Sequence, residues 1–255
     1  MTTLKRALLL LFALTLIAPT SGCVYLRLLE TKKQLSAFST YFDLKDDGGL
    51  KLIFKKPVLT GSDIIWLTRH NPSESHASPE GTTWIYVFRK IHATQEDLTA
   101  EGNKYDIPLK MHFANDRLSE VTFPERFLKF ISIPLLKRML ESIGEAKVDR
   151  SEKAANSTFL GHSSWEIPTE KQIRLLLGSP TEIEEAQDGI ILKYKYSLVD
   201  STYSSHPDFE TRFKVSRKDQ RIVSNVGIIR GLKLAMEFKE AKQTKDNKGR
   251  FKEAL

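Results

Sequence analysis

The sequence predicts an α+β protein: two units, each a helix packed on a three-stranded antiparallel sheet, joined by a helical segment. Three observations lead there. Residues 62–88 align without gaps with residues 170–196 at an offset of 108, with six identities in 27 positions (Ile65/Ile173, Leu67/Leu175, Pro72/Pro180, Glu74/Glu182, Gly81/Gly189, Tyr86/Tyr194). The proline and glycine punctuation coincides in both copies, and those residues mark where elements stop and turn. In each copy a helical period gives way to strict alternation.

The elements follow in order. In the second copy Thr169 and Gln172 have the spacing of a capping box, with Pro168 just outside. Ile173, Leu176 and Leu177 share one helical face, and Gly178 followed by Pro180 ends the helix. In the first copy Ser62 is the expected cap and Asn71-Pro72 the expected stop. Trp84, Tyr86 and Phe88 then alternate along a strand, as do Leu192, Tyr194 and Tyr196, with Lys193 and Lys195 facing away. A hairpin closes each copy, turning at Asn115-Asp116-Arg117 and at Lys218-Asp219-Gln220. The aromatic stripes are expected to be core.

Between the copies, residues 127–143 predict a helix interrupted at Pro134, with Leu135, Leu136, Met139, Leu140 and Ile143 on its apolar side. Residues 145–157 are charged and suggest a linker, and residues 25–42 predict an amphipathic helix. The implied organisation is a signal at 1–22, an N-terminal helical segment at 23–50 and a first repeat at 51–125. A helical connector at 126–160, a second repeat at 161–231 and a basic tail at 232–255 complete it.

Lys5 and Arg6 precede an apolar run over residues 7–18, then Pro19-Thr20-Ser21-Gly22 and Cys23, the only cysteine. The run suits an export signal and is too short to span a bilayer, which takes about 20 residues. One thiol excludes an internal disulfide framework. Removing Lys5 and Arg6 with the signal leaves 37 basic and 32 acidic residues, net +5. Residues 230–255 hold eight basic and four acidic residues, so +4 of that charge lies in the tail. Such a tail suits an anionic surface such as phospholipid headgroups, or is a solvated, partly helical terminus. Export argues against nucleic acid as a partner.

Thr20-Ser21-Gly22-Cys23 resembles the lipobox of bacterial lipoproteins, in which the cysteine is lipidated and becomes the mature N-terminus. The resemblance implies attachment to the bacterial membrane through Cys23. Val24, where aspartate is the inner-membrane retention signal, favours the periplasmic face of the outer membrane. Residues 167–180, from Ile167-Pro168-Thr169 to Leu177-Gly178-Ser179-Pro180, resemble the helix-and-turn signature of the SmpA/OmlA (BamE-like) lipoprotein domain. The likeness covers about residues 167–227, with a fainter echo at 60–123. It implies two BamE-like (β-lactamase-inhibitor-like) units, no cofactor and no catalysis. It further implies envelope proteins as partners, the β-barrel assembly machinery among them.

The residues themselves offer little chemistry. The six histidines (70, 76, 92, 112, 162 and 206) show no metal-site spacing, and Cys23 is consumed by lipid. Gly161-His162-Ser163-Ser164-Trp165 lacks the second glycine of a hydrolase elbow. Ser204, Ser205, His206 and Asp208 form ordinary turn chemistry, and Glu184-Glu185 a solvated turn. The expectation is a non-enzymatic scaffold or accessory factor of the envelope. The alternative is an inhibitor-like or chaperone-like binding module, using residues 71–80 or 199–208 as a projecting loop.

Overall fold

The computed structural model describes residues 20–161, 167–199, 207–240, 244–245 and 251–252. The export signal through Pro19, the Gly161–Trp165 motif beyond Gly161, and Ser204 to His206 lie outside them, as do residues 241–243, 246–250 and 253–255 of the tail.

Thr20–Leu35 forms helix α1, and Phe38–Tyr41 a single further turn, α2. The helix expected to run to Phe42 therefore stops early. Phe42 opens strand β1 (Phe42–Asp46), which turns at Gly48-Gly49, both at positive φ, into β2 (Leu50–Phe54). The first repeat then contributes α3 (Gly61–Thr68), β3 (Glu74–Ser78), β4 (Gly81–Ile91), α4 (Gln95–Glu101), β5 (Ile107–Ala114) and β6 (Arg117–Phe123). A 3-10 turn at Glu125–Lys129 leads to α5 (Ile133–Gly144). Ser132 caps that helix and Pro134 sits in its first turn, so the proline starts the helix instead of interrupting it.

The charged stretch expected to be a linker is β7 (Lys147–Asp149) and β8 (Ala154–Gly161). The second repeat supplies α6 (Glu170–Leu177), β9 (Glu182–Ala186), β10 (Gly189–Leu198), β11 (Phe209–Ser216) and β12 (Ile222–Ile229). The first part of the expected basic tail is β13 (Leu232–Glu240), and β14 (Thr244–Lys245) pairs separately with β15 (Phe251–Lys252).

Two separate units, each with a three-stranded sheet, are not what forms. One 13-stranded sheet runs β1-β2-β6-β5-β4-β10-β11-β12-β13-β8-β7, with β3 paired to β4 and β9 to β10. The physical reason lies at the edges. A three-stranded unit leaves a row of unpaired backbone groups on β4 and on β10. Here each strand satisfies the other: Phe88 pairs with Leu198 and Lys90 with Tyr196, antiparallel. Shifting by the 108-residue offset exchanges those two pairs, so the halves meet about a local two-fold axis. All pairings in the large sheet are antiparallel except β13 with β8, which is parallel.

Equivalent contacts recur within each half. Thr60 and Asp63 close a capping box on α3, as Thr169 and Gln172 do on α6. The cap on α3 is thus Thr60 instead of Ser62, and the helix ends at Arg69 in the left-handed region, before Asn71. A bridge joins Thr60 to Arg117, and its counterpart joins Thr169 to Arg221. The Tyr86 hydroxyl donates to His70 O at 2.9 Å, and Tyr194 to Gly178 O at 3.1 Å, each sixteen residues back. Tyr86, Leu192, Tyr194 and Tyr196 are fully buried in one core cluster that spans both halves.

The paired glycines have one cause. A Cβ on Gly81 would lie 2.0 Å from Phe113 O, and one on Gly189 1.8 Å from Val215 O. Each long strand can therefore approach the neighbouring strand, β5 or β11, only without a side chain there. Gly189→Ala is expected to cost about 2–3 kcal/mol, as overpacking does, read as a lower urea midpoint. An unchanged midpoint would mean that β10 and β11 do not meet in this register.

Candidate functional site

Helix α1, which carries Cys23 in its first turns, is held on the body by a buried ion pair. Arg27 donates from Nε to Asp63 Oδ2 at 2.6 Å and from its terminal nitrogen to Oδ1 at 2.5 Å. Asp63 is 1% exposed and also accepts from the Thr60 backbone N–H at 2.8 Å. Burial alone would raise its pKa, but the Arg27 fork and the Thr60 hydrogen bonds outweigh it and hold the carboxyl below its ordinary value. At its far end α1 meets α5, where Lys32 Nζ donates to Gly144 O at 2.7 Å. Gly144 is required there, because a Cβ would lie 2.1 Å from Ser36 N.

Between α1, the end of α3, the end of α5, the β7–β8 hairpin and the start of β13 lies a cavity of about 720 Å³. Leu28, Leu35, Leu67, Ile143, Leu232 and Leu234 make its apolar surface. Six cations, Lys32, Arg69, Arg150, Lys153, Arg230 and Lys233, stand against one acidic residue, Asp149. That carboxylate is engaged in its own turn, accepting from the Ser151 hydroxyl at 2.6 Å and from the backbone of Ser151 and Glu152. Its pKa is lowered chiefly by the Ser151 hydroxyl. Arg230 pairs with buried Asp208 at 2.8 Å and Lys233 with Glu152 at 3.5 Å. Arg69 lies 5.9 Å over the Trp66 ring. Arg150 and Lys153, both exposed, have no carboxylate partner among the described residues. Such a surface can hold an apolar body and an anion together.

A second polar cluster lies where the halves join. The Lys90 side chain is fully buried and paired with Glu101 at the end of α4. Glu101 also accepts from the Ser179 N–H at 2.6 Å, beyond the end of α6. Tyr105 and Tyr194 offer ring faces to the ammonium at 4.9 and 6.0 Å. Burial pulls the Lys90 pKa down, and Glu101 offsets part of that. For Glu101 burial would raise the pKa, but Lys90 and Ser179 bring it below the ordinary value. The cluster is closed by Gly178, whose Cβ would strike Tyr105 and Lys90. It clasps the two repeats together.

The other residues singled out in the sequence are dispersed. His70 lies 3.3 Å from Asp208, His76 pairs with exposed Glu74, His92 faces Glu101 and His112 meets Thr83. Glu184 and Glu185 sit in β9 instead of a turn, and adjacent strand residues face opposite ways. Glu184 pairs with Lys193 and Glu185 with Arg217, so the two do not form a carboxylate pair. Among the described residues no three His, Cys, Asp or Glu side chains gather as a metal site. Residues 71–80 contain β3 and its turn into β4, and most of 199–208 lies outside the described residues. No described helix is long and apolar enough to cross a membrane.

The cavity was hidden in the sequence because charge obscured pattern. Leu232, Leu234, Met236 and Phe238 alternate with Lys233, Glu237 and Lys239, a period-two signal inside a segment that counts as a basic tail. Lys90 was visible too, since it continues the Trp84-Tyr86-Phe88 face at the position where the other repeat has Leu198. Comparison with known protein families, with curated proteins and with solved structures yields no match to this chain.

Proposed function

We propose that this is a non-catalytic lipoprotein of the bacterial envelope, tethered through Cys23 at the periplasmic face of the outer membrane. There it acts as a scaffold or accessory factor for other envelope proteins, the β-barrel assembly machinery among them. The observation that supports this reading is the seating of α1. The helix that starts at the lipobox is not a loose tether: a buried two-pronged ion pair locks it to the body beside an apolar, cation-rimmed cavity. Processing before Cys23 leaves that residue at the start of α1, so acyl chains on it hold the cavity against the bilayer. Two such chains suffice for stable attachment.

Cys23→Ser is expected to move the protein from the membrane fraction to the soluble periplasm and to abolish metabolic labelling with palmitate. Retention in the membrane fraction without label would rule out acylation as the anchor. A crosslinked pull-down from intact cells is expected to recover outer-membrane assembly proteins. Recovery of a single hydrolase would favour an inhibitor instead.

A further inference from the structure

We propose that the cavity between α1, the β7–β8 hairpin and β13 binds one anionic glycerophospholipid. An acyl chain lies along Leu28, Leu67 and Leu232, and the phosphate sits among Arg69, Arg150 and Lys153. Its volume of about 720 Å³ is that of a ligand site, within the usual range of roughly 300–1,000 Å³. Val148 and Leu234 at its mouth are 39% and 37% exposed, apolar surface that a lipid chain would cover.

The charge identifies the occupant. Four of the six cations, Lys32, Arg69, Arg150 and Lys153, lack a carboxylate partner among the described residues, and the one acidic residue of the rim faces its own turn. An apolar helix of a partner protein would fill the floor and leave those cations uncompensated. A free phosphate would meet the cations and leave the floor wet. A phospholipid satisfies both, with the guanidinium of Arg150 suited to two-pronged phosphate recognition. Basic pockets bind lipid headgroups in this way. Tyr25, which lines the cavity, is two residues past Cys23, about 3 Å along the helix axis. That proximity to the bilayer rests on the anchored reading above; the binding itself does not.

The test uses the purified, soluble Cys23→Ser chain and short-chain dihexanoyl phosphatidylglycerol below its micellar concentration. Native mass spectrometry is expected to show one bound lipid. Emission from Trp66, which lines the cavity, is expected to shift saturably, and Trp66→Phe is expected to remove the shift. Dihexanoyl phosphatidylcholine is expected to bind at least tenfold more weakly. The Arg150→Gln/Lys153→Gln variant is expected to lose at least tenfold in phosphatidylglycerol affinity with an unchanged melting temperature, since both side chains are exposed. Equal affinity for the two lipids, or no effect of the double variant, would overturn the proposal. So would competition by inorganic phosphate as strong as that of the lipid. In the wild-type acylated protein one additional lipid is expected. Its absence there, with binding retained by Cys23→Ser, would assign the cavity to the protein's own acyl chain and also overturn the proposal. Failure of the anchor is read separately, by fractionation.

Discussion

Arg27→Met is expected to destabilise the protein by about 3–5 kcal/mol at pH 7, the cost of leaving a buried carboxylate without its cation. Methionine keeps the apolar stem, so the loss reports on charge and hydrogen bonding more than on packing. Asp63 would keep its hydrogen bonds from Thr60 but lose both from Arg27. The pH dependence carries a sign. In the wild type the folded-state pKa of Asp63 is depressed, so its contribution is present above the unfolded value near 3.8 and is lost as pH falls through the folded value. In Arg27→Met the burial that raises the pKa is no longer opposed by the guanidinium. The difference between the two proteins is therefore largest at neutral pH and narrows near pH 3. Arg27→Lys should fall between them, because an ammonium cannot make the two-pronged contact. Urea denaturation at pH 7 and pH 3 measures all of this. A loss below about 1 kcal/mol at pH 7 would show that α1 is not held by this pair.

Glu101→Ala is expected to cost a similar amount, about 3–5 kcal/mol, because it leaves the fully buried Lys90 ammonium unpaired. Here stability should recover as pH rises. A buried lysine with a folded pKa below its unfolded value of 10.5 binds fewer protons when folded, so stability climbs with pH between the two. In the wild type Glu101 acts in the opposite range, with its stabilisation present above about pH 4.5 and lost on acidification. The double variant Lys90→Met/Glu101→Leu removes both charges and is expected to lie near wild-type stability, since well-packed apolar residues often replace a buried pair without loss. Glu101→Ala and the double variant being equally unstable would show that the clasp contributes packing and not charge compensation.

Much of the local structure was written in the chain. The capping box at Thr169 and Gln172, the Gly178 stop, the Tyr86 and Tyr194 strands and the Asn115-Asp116 turn each follow from residues within a few positions of one another. Propensity, capping and alternation act over that range. The strand identity of residues 154–161 and 232–240 was less legible. In 232–240 Lys233, Glu237 and Lys239 alternate with Leu232, Met236 and Phe238, and 154–161 follows directly on a charged stretch, so composition pointed to tail and linker while Phe159, Met236 and Phe238 carried the core.

By itself the sequence determined the matching caps, turns and alternating strands of two similar segments, the identity of its buried tyrosines and a single cysteine behind an apolar leader, because each is a matter of residue type and spacing. Only the tertiary structure decided that the two segments share one sheet, that Arg27 finds Asp63 and Lys90 finds Glu101, and that an apolar cavity opens beside α1. The reason is that alternation along a strand specifies which face is buried and is silent about the neighbouring strand. Pairing of β4 with β10, and of β8 with β13, is settled by backbone groups seeking partners across 79 to 110 residues of chain.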